Sequence, residues 1–432
     1  MQDIRKLKNF CPLPWTHLYK DTDNTVRLCC TDHDRTEILG NLGSENLDDI
    51  RVNEKFTRIR QQFLDDERPS RCKNCWEKED SGFISLRQKM LDGYYRELNK
   101  PMILHADKPL PITYLDFRPS NLCNLGCKTC HPHYSTKLAQ AWKDAGMKDV
   151  AGNKYEEYMS YHKNKERFIK YEEIVPNLER VYFAGGEPVL DDEHWRITEE
   201  LVNTGKTDIL YSVNTNFTNL KFKNKNVLDL WKQFKETNLL LSLDGYGEMY
   251  EYMRTGAKFK SIVENFKTVK HTIEQGYKNI TVNISSVAGW LNLKSVLKLH
   301  RFLSENNYLD YAKGRSKENW PFKIDVIVGD GWLEGANFNN TPTFLKEELL
   351  KHLDEYYKFN SNLDSPPDTL NTINAITKSI QNSVFNTKLY KEWLLHNKRM
   401  DKQFGTKLET ALDFDNIKTN ERLIKDYKEI LV

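Results

Sequence analysis

The sequence predicts an α/β fold: a partial (β/α)6 TIM-like barrel or open parallel sheet, with a cysteine-rich N-terminal module and a helical C-terminal region. Three observations carry this expectation. Six short runs rich in β-branched and aromatic residues recur from residue 113, five of them closed by Gly, Pro or Asn. Charged segments with helical spacing lie between them, and strands alternating with helices argue for parallel pairing. All eight cysteines fall in the first 130 residues, so they are not scattered core residues.

Residues 1–100 hold Cys11, Cys29, Cys30, Cys72 and Cys75 in loop-like sequence. The stretch 100–113 carries Pro101, Pro109 and Pro111; proline fixes φ and removes a donor, which reads as a linker. The strand-like runs are 113–119, 181–186, 209–216, 239–245, 280–287 and 323–329. The segment 261–276 is typical of the helical spacers, and the long, charged crossover 131–180 is expected to hold an extra helical insertion. Past "DGWLEGANFNNTP" (330–342) the strands stop; 343–359 has apolar residues at helical spacing, and a breaker at 361–368 precedes further helix to Val432. The expected division is 1–100, 113–330 and 341–432. The C-terminal helices either cap the open barrel and shape a pocket or form a dimer surface.

The 432 residues carry a formal net charge of +2, which gives no broad attraction to nucleic acid or to an anionic membrane. The N-terminus lacks the apolar run of an export signal, and no stretch of about 18 apolar residues suggests a membrane span. Clustered cysteines without an export signal point to metal or redox chemistry in a reducing cytoplasm rather than to disulfides.

The loop "SNLCNLGCKTCHP" (120–132) follows the first barrel strand and sets Cys123, Cys127 and Cys130 as C-x3-C-x2-C. An iron–sulfur cube takes one thiolate per iron. Three thiolates leave one iron open to a substrate or cofactor, as catalytic zinc keeps an open position. Zinc with His131 or His133 as fourth ligand is the alternative, and "HPH" is otherwise a loop feature or helix start. The loop resembles the signature of radical S-adenosylmethionine (SAM) enzymes. "AGGEPVL" (184–190) is similar to that family's GGEP motif, and "SVNTN" (212–216), "LSLDG" (241–245) and "YEYMRTGAKF" (250–259) resemble its later segments. The last is similar to an Arg-Gly segment of peptide-modifying members. The resemblance implies that Cys123, Cys127 and Cys130 hold a [4Fe–4S] cluster whose open iron binds SAM. It implies that Gly185, Gly186, Glu187 and Pro188 meet the SAM ammonium, and that Ser212, Asn214 and Asn216 lie near the methionine or ribose. Ser242 and Asp244 would bond the ribose or carboxylate, and Arg254 the carboxylate. Each of these polar residues has a bland reading as a strand-end cap or surface ion pair. Where many members carry an aromatic before the last cysteine, this chain has Thr129, so adenine packing must come from elsewhere.

"CPLPW", "VRLCC", "LGNL" and "RCKNCW" are similar to the SPASM/twitch module, which holds auxiliary [4Fe–4S] clusters. The resemblance implies one auxiliary cluster on Cys11, Cys29, Cys72 and Cys75, with Cys30 as the alternative to Cys29; structural zinc fits the same count. Asn24 stands near the glycine that members often place before the cysteine pair, and Asn tolerates similar turn geometry. The module usually follows the barrel and here precedes it. It packs on the same barrel face or docks elsewhere.

The resemblance implies an oxygen-sensitive enzyme that reductively cleaves SAM to a 5′-deoxyadenosyl radical and takes hydrogen from a substrate. It also implies a reducing electron donor such as flavodoxin or ferredoxin. A peptide or protein substrate is favoured; a small metabolite, sugar or nucleoside, or a non-catalytic metal-binding scaffold, are the alternatives. Trp290, after the fifth run, lines a pocket or belongs to the core.

Overall fold

The computed structural model describes residues 4–32, 37–80, 84–97, 104–147, 154–163, 171–310, 322–327, 331–361 and 367–430. Pro101, most of the breaker at 361–368 and the end of the sixth run lie outside the described residues. Among them the strands are β1 (His17–Lys20), β2 (Thr25–Arg27), β3 (Gly40–Asn41), β4 (Tyr114–Phe117), β5 (Gly126–Cys127), β6 (Arg180–Phe183), β7 (Leu210–Thr215), β8 (Lys221–Phe222), β9 (Lys225–Asn226), β10 (Glu236–Ser242), β11 (Arg254–Thr255), β12 (Ile280–Ala288) and β13 (Phe322–Val326). The six expected runs are β4, β6, β7, β10, β12 and β13, and helices separate them, as an α/β partial barrel requires. The first crossover holds helices Thr136–Asp144, Tyr155–Ser160 and Tyr171–Ile174, the inserted helical structure its charge pattern suggested. No helix among the described residues is long and apolar enough to cross a membrane.

The chain forms two compact units: residues 1–121, 160–213 and 233–235, and residues 122–159, 214–232 and 236–432. In the first, the strand order is β7-β6-β4-β1-β2-β3. The N-terminal module therefore enters the barrel sheet itself. β1 runs parallel to β4 in the register His17↔Tyr114 to Lys20↔Phe117, and β4, β6 and β7 continue in parallel. Alternation along these strands separates two faces. Leu18, Leu115, Val181 and Tyr211 are at most 2% exposed. Tyr211 meets His194 and Thr198 of the helix Asp192–Asn203, so this face lies under the helical layer. The opposite face carries Tyr19, Asp116, Tyr182 and Ser212 as one register row. The linker is fastened to the module: Trp15 donates Nε1–H to the His105 carbonyl at 2.9 Å and accepts from Leu110 N at 3.1 Å. Buried Arg60 bonds the Pro14 carbonyl at 2.9 Å and that of Ala106 at 3.2 Å.

In the second unit β10, β12 and β13 are parallel neighbours. Trp290 is a core residue, fully buried, with Nε1–H on the Gly335 carbonyl at 2.7 Å. The helix Thr387–Phe404 buries Tyr390, Trp393, Leu394, Asn397, Met400 and Asp401, a stripe at three- and four-residue spacing. Asn386 caps its start, and Gly405 in the left-handed region ends it. Its last turn packs on the cysteine loop: a Cβ on Gly126 would stand 2.4 Å from the Phe404 ring.

Candidate metal and cofactor site

Cys123, Cys127 and Cys130 follow the C-terminal end of β4, where parallel α/β folds gather their chemistry. All three are free thiols; Cys127 is buried and the others are half-buried. Burial pushes the Cys130 thiol up to about 12, with Cys127 nearby adding to the shift. The loop is held by a short ladder, Arg254↔Cys127 and Thr255↔Gly126, and by Lys128 N donating to the Met253 carbonyl at 2.8 Å. Cys123 lines a surface pocket with Thr136, Lys137, Gln140 and Phe404. His131 caps a 3-10 turn, its Nδ1 accepting from His133 N at 3.1 Å, so "HPH" is a helix start.

Asn216, just after β7, and Arg254, beyond β10, reach this loop. Asn216 donates Nδ2–H to Asn124 Oδ1 at 2.9 Å and lies 3.9 Å from Cys123 Sγ. Asn214 accepts from Ser242 Oγ at 2.8 Å. Arg254 lies 3.9 Å from Cys127 Sγ through Nη1, while its Nε pairs with Asp244 Oδ2 at 2.9 Å. Asp244 is fully buried and its other oxygen accepts from Val287 N at 2.8 Å. Arg254 is thus held in a largely buried pair, not in a surface ion pair. Burial raises the Cys127 thiol above its ordinary value, and the fixed Arg254 guanidinium beside it opposes that shift, toward the thiolate that an iron ligand must be.

In the first unit the GGEP segment follows β6. Gly185 has φ +107°, and a Cβ there would stand 2.8 Å from the Ser120 carbonyl oxygen. Gly186 N donates to that same carbonyl at 2.9 Å. Glu187 is 1% exposed and caps the turn Pro188–Leu190 by accepting from Val189 N at 3.3 Å. Gly185→Ala meets both a forbidden φ and a backbone collision, so it is expected to cost about 1–3 kcal/mol in a urea titration; a wild-type midpoint would refute the turn geometry.

Cys11, Cys29, Cys72 and Cys75 line one internal cavity, with Leu13, Leu28, Thr31, Asp32, Arg71 and Arg87 among its walls. Burial raises the Cys11 and Cys72 thiols and pushes Cys29 up to about 11; the sulfurs near one another add to each shift. Four thiols lining one cavity suit a closed site for an iron–sulfur cube or zinc, whose charge is what turns them into thiolates. Cys30 does not line this cavity. Cys29 Sγ meets Thr31 Oγ1 at 3.2 Å, whereas Cys30 is exposed. Asn24, before the pair, has φ +67°, the turn conformation expected of it.

Two features were not read from the sequence. The row Tyr19, Asp116, Tyr182 and Ser212 is crossed by Arg118, which bonds Asp116 and lies 4.2 Å above the Tyr19 ring. Asp116 Oδ2 is buried without a hydrogen-bond partner, and burial pushes its carboxyl up to about 6. The other is Lys128, inside the cysteine loop and fully buried.

The Radical SAM superfamily model matches residues 117–288, and the model of SPASM, an iron–sulfur cluster-binding domain, matches residues 11–76. Residues 117–288 of the chain thus carry a radical SAM domain. Its N-terminal part is a SPASM module placed ahead of the barrel. The two domains imply a [4Fe–4S] cluster, SAM and auxiliary iron–sulfur as cofactors. Solved structures similar to this chain include native anSMEcpe with bound AdoMet, 15% identical over 59% of this chain and 62% of that one, with a TM-score of 0.34. Another is SuiB of Streptococcus suis bound to S-adenosylmethionine, 11% identical over 67% of this chain and 59% of that one, with a TM-score of 0.32. A third is TYW1 with a lysine-pyruvate adduct, 15% identical over 56% of this chain and 73% of that one, with a TM-score of 0.30. The chain thus spans about 62% of the first of these. Comparison with curated protein sequences gives no significant match.

Proposed function

We propose that this chain is a radical SAM enzyme acting on a peptide or protein. The observation that carries the reading is the set of three free thiols on one loop, with Asn216 and Arg254 each 3.9 Å from a sulfur. When bound, the cluster and SAM supply a 5′-deoxyadenosyl radical by reductive cleavage, for abstraction of a substrate hydrogen atom. The residues do the rest. Cys123, Cys127 and Cys130 hold the cluster. Arg254, fixed by Asp244, keeps a positive charge beside it. Gly185 and Gly186 bring backbone close to the SAM ammonium, with Glu187 and Pro188 shaping the turn. Ser212, Asn214, Asn216 and Ser242 serve the methionine and ribose.

Cys11, Cys29, Cys72 and Cys75 are assigned to the auxiliary cluster, and Cys30 is left outside it. We divide the chain into the module (1–100), the barrel (113–330) and the helical region (341–432). Peptide chemistry is supported by the SPASM match and by the Arg-Gly segment around Arg254. Eight free cysteines favour a reducing cytoplasm, with a flavodoxin- or ferredoxin-like donor.

The test is 5′-deoxyadenosine release by the chain reconstituted anaerobically with iron and sulfide, given SAM and dithionite. Release is expected from the wild type and none from the Cys123/Cys127/Cys130→Ala variant. Equal release from both, or a protein that takes up zinc and refuses iron–sulfur, would sink the assignment.

A further inference from the structure

The cysteine loop is gripped from the far end of the chain. Lys128 lies between Cys127 and Cys130 and is only 1% exposed. Its ammonium bonds Asp401, 273 residues away on the last turns of the helix Thr387–Phe404. The Tyr252 ring lies 4.6 Å from the same ammonium. Asp401 is itself 5% exposed and fully occupied: Oδ2 accepts from Tyr252 at 3.1 Å and from Tyr427, and Oδ1 accepts from Thr406 as well as from Lys128. Next to this pair, Phe404 leaves no room for a Cβ at Gly126. A buried ammonium is costly unless paired and bonded, and breaking such a pair leaves an uncompensated charge. Lys128 is therefore tethered to one place, and the backbone joining two of the three cysteines is fixed with it.

We propose that Asp401 is a positioning residue for the cluster loop, acting through Lys128 to set the placement of Cys127 and Cys130 and so the open iron's readiness for SAM. This rests on the assignment of Cys123, Cys127 and Cys130 as cluster ligands. The C-terminal helical region then serves the barrel's chemistry directly, whatever else its surface does.

The test uses the full chain reconstituted with iron and sulfide, reduced with dithionite and titrated with SAM while the electron paramagnetic resonance spectrum is followed. Asp401→Asn and Lys128→Met are each expected to raise the SAM concentration for the half-maximal spectral change about tenfold, the scale seen when partners of metal ligands are removed. The double variant should do no more than either alone, because both cut the same link. The auxiliary-cluster signal should stay unchanged, which reports an intact fold. Wild-type titrations in both variants overturn the proposal, as does an additive double variant. A wild type with no SAM-sensitive signal overturns the cluster assignment and this proposal together. Where Asp401→Asn loses the auxiliary signal, Tyr427→Phe decides: it removes one hydroxyl from Asp401, and a shift in the same direction supports the link while an unchanged titration refutes it.

Discussion

Arg71→Met is expected to lower the protein's stability by about 3–5 kcal/mol, read as a fall in the urea midpoint, because it strands a buried carboxylate. Arg71 reaches Asp32 Oδ2 through Nη2 at 2.9 Å and Nε at 3.2 Å. Their side chains are 5% and 0% exposed, so solvent does little to screen the pair. The same guanidinium bonds the Glu37 carbonyl at 2.8 Å, and Asp32 also accepts from Leu28 N at 3.1 Å. These bonds set the chain on either side of Cys29 and Cys72. A domain of ordinary stability holds about 5–15 kcal/mol, so the loss is a large share of the whole. Arg71→Met combined with Asp32→Asn removes both charges and should recover part of it. A cost below about 1 kcal/mol for Arg71→Met would mean the pair is worth no more than a surface contact.

Acid is expected to unfold the protein well above the range where carboxylates alone would do it. Burial lowers His17 and His194 to about 3 and His300 to about 4, and holds His396 well below its ordinary value. In the unfolded chain each titrates near 6.5. As pH falls below that value the unfolded state takes up protons that the folded state refuses, so stability falls. Each group contributes about 1.4 kcal/mol per pH unit. Asp116 works the other way: raised to about 6, it binds its proton in the folded state first, and offsets one of the four between about pH 6 and 4. The net of about three protons removes on the order of 4 kcal/mol per unit. Loss of circular dichroism is therefore expected with a midpoint at about pH 4–5. Replacing His194 with Phe should reduce the slope by one proton. Native dichroism at pH 4 would show that these histidines are protonated in the folded protein.

The barrel strands were legible because their signal is local. Runs such as 209–216 and 280–287 are rich in β-branched residues and stop at or shortly before a breaker, Asn216 and Gly289, and they became β7 and β12. The cysteine spacings were legible because three or four soft ligands within a short stretch have few other uses. β1 was not: "HLYK" is four residues with polar ends, and its partner Tyr114–Phe117 lies far along the chain. Asp116 was visible in the first barrel strand, but only the register row with Tyr19 and Tyr182 shows that it sits on the face away from the helices. The preference for Cys29 over Cys30 came from the spacing; of the two, Cys29 is the one that lines the cavity, its sulfur 3.2 Å from Thr31 Oγ1. Lys128 and Asp401 had no sequence signal. Each is an ordinary charged residue until the fold removes both from water.

The pairing of β1 with β4 has a consequence for anyone dissecting the protein. In the first unit β4 is an interior strand only because the N-terminal module covers its outer side. A barrel cut free of its first 112 residues would offer the bare N–H and C=O groups of β4 to the next molecule, a ready template for aggregation. The intact chain shifts that margin to β3, two residues long, which is too short to recruit another chain. The permuted module thus seals the sheet, and insolubility of an isolated barrel fragment would report a missing cover rather than a misfolded core.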